Sequence, residues 1–550
     1  MDNIVIVDAV STGVNLVEDV RRRGYHPIVM NMTSFGESWL AKSRAVRPRL
    51  EGRCDFIDEQ PSYEDSLHIV RSIDPLIVLA GSEAGVELAT RLAEDLRLPG
   101  NPTSILPQMK EKHAMHEALR KHGLRYIRGK LVSSPEEAAA FFDELHCRRA
   151  VVKFNTGDAS VGMHICASGA ETAEAVRAAL AIGVDHYGHT VKSLLVQEMI
   201  DGAEYVVNTA SSAGIIRLTS VFRYCKTEYP DGRSIFRYAE SVGEPDIDES
   251  ALIRYAYQVL HAVGIRYGSV HGEYMIDKEG PVLIEINCRP MGAGMPAAFL
   301  DLLNGQHETD SHLDSYLNPE KFAADAKKPY HADCKLLSKN LSSSTDKDVI
   351  ASPVLTIAPQ LRSYYGASVP GIADEHIRKT ENFNSYAGII FLAHQDSRIV
   401  LHDAKLLCEL EDNCPELLFQ TRPLMPVPDG NPAPPADTAD LPGILDLGDQ
   451  YTVFSADSDP DLKIVNKKGY YDNVIIDRPP KPEWTLEESL NMLFILARSM
   501  KKGSRLILTQ NVLGCGSACT AYLTAAMQLA GLAVSAPMPE YPDLIIGTIQ

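Results

Sequence analysis

The sequence predicts a multidomain α/β protein, and three observations carry that reading. At 550 residues the chain is too long for one core, so two to four domains are expected. Buried-type strands alternate with amphipathic helices from the start, the pattern of a parallel sheet covered by helices. A Pro-rich stretch at 421–442, TRPLMPVPDGNPAPPADTADLP, then separates the first 420 residues from a tail that resumes the alternation.

Residues 1–102 form the first domain. NIVIVDA, HPIVMNM and PLIVLAGSE are apolar runs of strand length, and STGVNLVEDVRRRG has helical spacing and a Gly stop. The loop after the first strand, DAVSTG, has one Gly and no G-x-G-x-x-G, so the dinucleotide fingerprint is absent. In AGSEAGVELATRLAEDLRLPGNP, Ser82 and Glu83 stand at the start of a helix, where both cap well.

Residues 103–310 carry the chemistry. After a helical segment that contains Lys112, AVVKFNTGDASVGMHIC delivers Lys153 on a strand into a small-residue loop containing Ser160. Gly and Ser there let backbone N–H groups approach phosphate oxygens, and a Lys at the loop entrance adds a point charge. It is not a Walker A loop, because G-x-x-x-x-G-K-[ST] is missing. Strand LLVQE, ending at Glu198, then enters a MIDG linker, Met199 to Gly202, followed by Glu204 on the next strand, where alternation alone equally allows a sheet-surface residue. VFRYCKTE places Arg223 and Lys226 on the continuing sheet, where basic side chains facing an anionic cleft would be useful.

The most informative stretch is SVHGEYMIDKEGPVLIEINCRPMGAG, residues 269–294. Two short runs flank a DKEG turn. Glu285 and Asn287 are two apart and share a face, and a hairpin would set Glu273 opposite them. Two carboxylates and an amide oxygen suit a hard divalent cation, Mg²⁺ above all. Arg289 follows on the same face, where it could fork onto a phosphate or carboxylate.

The pattern E-(x)11-E-x-N-x-R-P, together with the Lys153 loop, resembles the ATP-grasp ligases. The resemblance implies an ATP-grasp fold behind an N-terminal Rossmann-like domain. It also implies that Glu273, Glu285 and Asn287 hold Mg²⁺ (or Mn²⁺ in its place) against the phosphates of ATP, and that Arg289 and Lys153 act on the transferring phosphoryl group. Lys112, in EKHAMHEAL, is similar to a phosphate-binding Lys of the family. Lys153 and Ser160 belong to its Gly-rich lid, with Phe154 and Ala159 as departures from the usual Pro and Gly. Glu198, Met199 and Ile200 form the hinge whose backbone holds adenine, and Glu204 is the ribose acid. Residues 311–420 resemble the closing subdomain of the branch that joins amino acids, in which the edge near Glu83 faces the substrate cleft. The implied reaction joins a carboxylate to an amine through an acyl phosphate and releases ADP. A carboxylase, a phosphotransferase and a non-catalytic nucleotide-binding scaffold are the alternatives.

Residues 443–550 read as an additional α/β module, with strands YDNVIID, SRLILTQNV and DLIIGTI. It resembles the C-terminal half of a class I methyltransferase fold without the Gly-rich cofactor loop, so an interaction or homodimer-forming role is the plainer expectation. Acidic residues number 73 and basic ones 53, a net charge of −20, which disfavours nucleic acid as a partner. No run reaches the ~18 apolar residues of a membrane span. The acidic strand-and-turn start and the ten scattered cysteines fit a cytoplasmic protein with reduced thiols, acting on small amino-acid or amine substrates.

Overall fold

A computed structural model describes residues 2–157, 162–185, 187–229, 234–292, 294–349, 351–369, 376–381, 385–413, 415, 418–419, 451–455, 473–477, 486–509, 527, 532–534 and 544–549. The chain divides into two compact units. The first is Met1–Leu337 with two short later segments, and the second holds most of the chain from Ser338 onward. Helices Glu308–Leu317 and Pro319–Asp325, beyond the expected boundary at 310, lie within the first unit. The Pro-rich stretch at 421–442 lies outside the described residues.

The first unit opens with strands β1 (Asn3–Val7), β2 (His26–Asn31), β3 (Asp55–Asp58) and β4 (Ile77–Ala80), parallel in the order β3-β2-β1-β4. Both faces are covered, which is why NIVIV is apolar at every step after the first. Val5 and Val7 enter one core with Leu88 and Leu92, and Ile4 and Ile6 enter another with Leu16 and Val20. The strand order reverses between β1 and β4, so a crevice opens at their carboxyl ends, the usual ligand position in such sheets. The two loops there are tightly apposed. A Cβ on Gly13 would lie 2.3 Å from Gly81 O, so only glycine fits.

A second sheet, antiparallel, has the order β5-β8-β6-β7 from β5 (Gly129–Val132), β6 (Ala150–Lys153), β7 (His164–Cys166) and β8 (Leu194–Glu198). A third runs β13-β12-β9-β10-β11 within this unit, from β9 (Ala203–Ser212), β10 (Ile215–Glu228), β11 (Ser234–Ser241), β12 (Gly268–Asp277) and β13 (Gly280–Asn287). Helix Ile247–Val263 starts at a full capping box, Asp246 with Glu249, and buries Leu252, Tyr255, Val259 and Val263. It covers the face that carries Tyr205, Val207, Tyr274 and Leu283. The opposite face of β9, β12 and β13 carries the polar residues of the site.

In the second unit, Lys339, fully buried, has Nζ 2.6 Å from Glu411 Oε2. The tail forms a five-stranded sheet. Tyr451–Ser455, Asn473–Asp477 and Arg505–Thr509 run parallel, Leu544–Ile549 is antiparallel beside the third, and Leu532–Val534 lies at the edge. No helix among the described residues is long and apolar enough to cross a membrane.

Candidate active site

The β12–β13 hairpin closes through a two-residue turn, Lys278–Glu279, between the paired Asp277 and Gly280. Gly280 has φ +101°, which a side chain would oppose. The register sets Glu273 directly opposite Glu285 and His271 opposite Asn287. A bulge then shifts the pairing to Tyr274 opposite Leu283. The extra residue turns Tyr274 and Leu283 into the helix-side core while the acids stay on the other face. Glu285 and Asn287 are buried, and Glu273 is partly open. Burial holds His271 neutral, at about 3, with Arg289 adding to the effect, and His271 Nδ1 lies 2.9 Å from Asn208 Oδ1.

Two lysines converge on these acids. Lys112, first residue of helix Lys112–Lys121 and itself buried, has Nζ 2.6 Å from Glu285 Oε2 and donates to Gly157 O at 2.7 Å. Asn155 fastens the loop after β6 to this helix start. Its carbonyl accepts Lys112 N–H at 2.9 Å, its Oδ1 accepts His113 N–H at 3.0 Å, and its Nδ2 donates to Glu111 Oε2 at 3.1 Å. Lys153 ends β6 at the mouth of the same loop. Loss of water and the neighbouring Lys112 charge pull its ammonium down to about 8, against the opposing pull of Glu285, Glu273 and Glu204. Lys153 and those four groups therefore share one electrostatic neighbourhood. Glu204, on β9, is buried and ion-paired with Lys226. Burial raises its carboxyl above the usual range, Lys226 opposes this, and Glu273 adds to it.

Arg289 leaves the end of β13 and reaches the first domain, where its Nε is 3.8 Å from Glu83 Oε2, both residues nearly buried. The expected capping by Ser82 and Glu83 is not what they do: helix Val86–Asp95 has Gly85 at its N-cap with no side-chain cap, and Ser82 bonds Asp8 instead. Glu83 stands at the crevice between β1 and β4 and meets the arginine of the hairpin. Thr12, on the facing loop, donates to Gly292 O at 3.0 Å.

Of the three residues expected at the hinge, Glu198 ends β8 and Met199 and Ile200 lie just past it. Glu198 pairs with Arg128, and its N–H goes to Arg128 O at 3.0 Å. Met199 N–H goes to Arg149 O at 3.0 Å. Ile200 follows Met199 in the short link between β8 and β9. Ser160 lies outside the described residues. Arg223 is a correction: it pairs with Tyr205 on β9, on the helix side of the sheet, and is exposed. Lys226, three residues on, faces the acids instead. Asn155, His271 and Glu308 join the site without having been singled out from sequence. An Asn two residues after the strand lysine was a visible signal for the first. His271, two before Glu273 on one strand, was visible by alternation. Glu308 had no signal beyond an ordinary first-turn acid.

Residues 148–296 match the ATP-grasp domain. Dapdiamide A synthase of Enterobacter agglomerans is 27% identical over 328 residues, 60% of this chain and 76% of that protein. Among solved structures, an L-amino acid ligase from Bacillus licheniformis superposes with a TM-score of 0.59 at 16% identity, over 74% of this chain and 97% of that one. An N5-carboxyaminoimidazole synthase from Aspergillus clavatus, solved with ADP and 5-aminoimidazole ribonucleotide, gives 0.54 at 14% identity, over 75% and 98%. Residues 148–296 are an ATP-grasp domain, and the chain has the fold of the ATP-grasp ligases.

Proposed function

We propose that the chain is an ATP-dependent ligase that joins a carboxylate, that of an amino acid, to an amine through an acyl phosphate, releasing ADP and phosphate. The observation that carries this is Glu273 facing Glu285 across one strand pair, with Asn287 beside them, Lys112 reaching Glu285 from a helix start and Lys153 at the end of β6 in the same electrostatic neighbourhood. The names of its relatives, a dapdiamide A synthase and an L-amino acid ligase, support the same class.

The residues fit a divalent cation. All donors are oxygens, two are carboxylates directly opposed, and the pair needs neutralising charge. Asn287 Nδ2 has no hydrogen-bond partner among the described residues, so the amide is not locked by another contact. Glu273, Glu285 and Asn287 would hold Mg²⁺, which draws charge from the β- and γ-phosphate oxygens when bound. The chain's own groups do the rest. The backbone of Glu198, Met199 and Ile200 meets the adenine edge, and Glu204 accepts from ribose hydroxyls. Lys112 and Lys153 hold phosphate oxygens in line with the attacking carboxylate. Arg289, tethered near Glu83, sits where charge builds on the transferring phosphoryl group and the acyl phosphate.

The test is full-length protein with ATP, Mg²⁺ and a panel of amino acids, followed by chromatography of nucleotides and mass spectrometry of products. ADP with a condensed amide is the expected result. AMP with pyrophosphate would replace the acyl phosphate by an adenylate, and bicarbonate-dependent ADP release would move the chain to carboxylation.

A further inference from the structure

The three oxygen donors of the hairpin have a nitrogen beside them. His271 is buried, pairs with Asn287 across the strands, and shares its face with Glu273 two residues on. Its Nε2 lies 3.3 Å from Glu273 Oε1. Two ligands at right angles on one ion, each at ~2.1 Å, stand about 3 Å apart, so this pair is near the spacing that a shared cation sets.

A row of residues across four strands orients the ring. Asn287 on β13, His271 on β12, Asn208 on β9 and Ser220 on β10 are successive partners. The β9–β10 pairing slips between Leu218 and Ser220, so Thr219 is the extra residue of a bulge, and the slip sets Ser220 opposite Asn208. Asn208 Nδ2 donates to Ser220 Oγ at 2.9 Å and to Met291 Sδ at 3.1 Å. Glu308 Oε2 in turn accepts Met291 N–H at 2.8 Å, which ties down the loop that brings the sulfur there. Turning the amide over would set its oxygen against that sulfur, acceptor to acceptor. Asn208 Oδ1 therefore faces His271 Nδ1, at 2.9 Å, and can only accept from it. The proton of a neutral ring then sits on Nδ1, and Nε2 presents its lone pair toward the Glu273 carboxylate.

Lone pair and carboxylate are both acceptors, and at 3.3 Å they call for a positive group in common. We propose that this group is the divalent cation, with His271 Nε2 as its nitrogen ligand beside Glu273, and that the site thereby favours Mn²⁺ over Mg²⁺. Mg²⁺ takes oxygen donors, whereas a first-row transition ion gains from an imidazole. Asn208 is then a positioning residue that holds the tautomer, as the outer partners of metal-bound histidines do. This rests on the reading of the hairpin as the cation site of a ligase, and it adds a ligand to that site.

The experiment uses full-length protein made with natural and with ¹⁵N-labelled histidine. Electron spin-echo modulation is recorded for each with one equivalent of Mn²⁺ and ADP. A histidine nitrogen on the ion gives a coupling that changes with the label, and an adenine nitrogen gives one that does not. The label-sensitive coupling is expected in the wild type. It should vanish in His271→Asn, whose amide can keep the bond to Asn208 but lacks the ligand, and in His271→Gln as a second variant, each checked for folding by thermal melt. In His271→Asn the affinity for Mn²⁺, read by calorimetry, should fall about 10-fold or more, and that for Mg²⁺ by less than about threefold. No label-sensitive coupling in the wild type, or one that survives in a folded variant, overturns the proposal; His271 is then an imidazolium bonded to Glu273 and away from the ion. The measurement needs no turnover. A protein that shows the coupling but forms no amide keeps the ligand and loses the ligase reading, and one that forms amide without the coupling does the reverse.

Discussion

Lys112 Nζ lies 2.6 Å from Glu285 Oε2, so the start of a helix in one segment is held against the metal-type acid of a hairpin in another. The same ammonium donates to Gly157 O in the loop after β6. One group thus links the phosphate-type loop and the hairpin, and it must turn to serve a phosphate. Lys112→Ala removes one charge-assisted contact, a loss of ~1.5–3 kcal/mol, so the KM for ATP should rise about 10–100-fold. Steady-state kinetics at saturating Mg²⁺ checks it, and an unchanged KM would leave Lys112 as a structural tie to Glu285.

Glu285→Gln keeps shape and removes one of two opposed charges. Activity should fall by about 100-fold or more and the Mg²⁺ requirement should rise, since the ligand set loses a carboxylate. Without metal, the variant escapes the repulsion with Glu273 but loses its pairing with Lys112, so its melting temperature should move little. Mg²⁺ titrations of turnover, with melts in EDTA, separate the two effects. Near-normal activity at an unchanged Mg²⁺ demand would make the hairpin acids structural.

Lys153 makes a pH prediction. Its folded value is down to about 8 from 10.5. Between those values the unfolded chain binds more protons than the folded one, so this group adds stability as pH rises from about 8 toward 10.5. Nucleotide binding has the opposite slope, because the phosphates need the ammonium. The KM for ATP should climb above about pH 8, and Lys153→Arg, charged throughout, should flatten the climb. Initial rates from about pH 6.5 to about pH 9.5 test this, and identical profiles for both proteins would contradict it.

How much of this was legible depends on range. The hairpin was legible because strand alternation and a two-residue turn are local, and they set Glu273 against Glu285 with no tertiary information. Arg223 shows a local rule passed over: it stands three residues from Lys226, and period-two alternation separates the two faces. The bulges at β12–β13 and at Thr219 were not legible, since register slips answer to packing across strands. Glu83 read as a helix-start acid because its partner, Arg289, arrives from a distant strand. Glu308 was hidden in the same way, as an acid in a first helical turn is ordinary. The expectation of an independent tail depended on a composition break, which carries no information on the contacts the tail makes.

The buried pair Lys339–Glu411 gives a stability prediction for the second unit. Lys339 is fully buried, and Glu411 also accepts from Ser342 Oγ at 2.6 Å. Glu411→Ala strands a buried ammonium and should cost ~3–5 kcal/mol. The double change Lys339→Met with Glu411→Leu removes both charges and should recover much of that loss. Denaturant melts of the three proteins decide it. A loss under about 1 kcal/mol for Glu411→Ala would mean that water reaches the lysine.

The last prediction concerns the tail. Within the second unit, helix Leu486–Ser499 packs against the short helix Val354–Ile357, and Arg498 bonds Gln360. Leu493, Phe494 and Leu496 of the tail helix are buried. Ending the chain at residue 435 therefore uncovers apolar surface that a Pro-rich break had suggested was independent. The shortened protein should melt at lower temperature and aggregate more readily than the full chain, by loss of burial at ~25 cal/mol per Å². The nucleotide-type residues all precede Leu337, so a soluble fraction should still bind ATP. Light scattering during a thermal ramp, with ATP titration of the soluble fraction, measures both. A shortened protein as stable as the full one would restore the tail as a separate folding unit, and a well-folded one that cannot bind ATP would make the tail part of the ligase core.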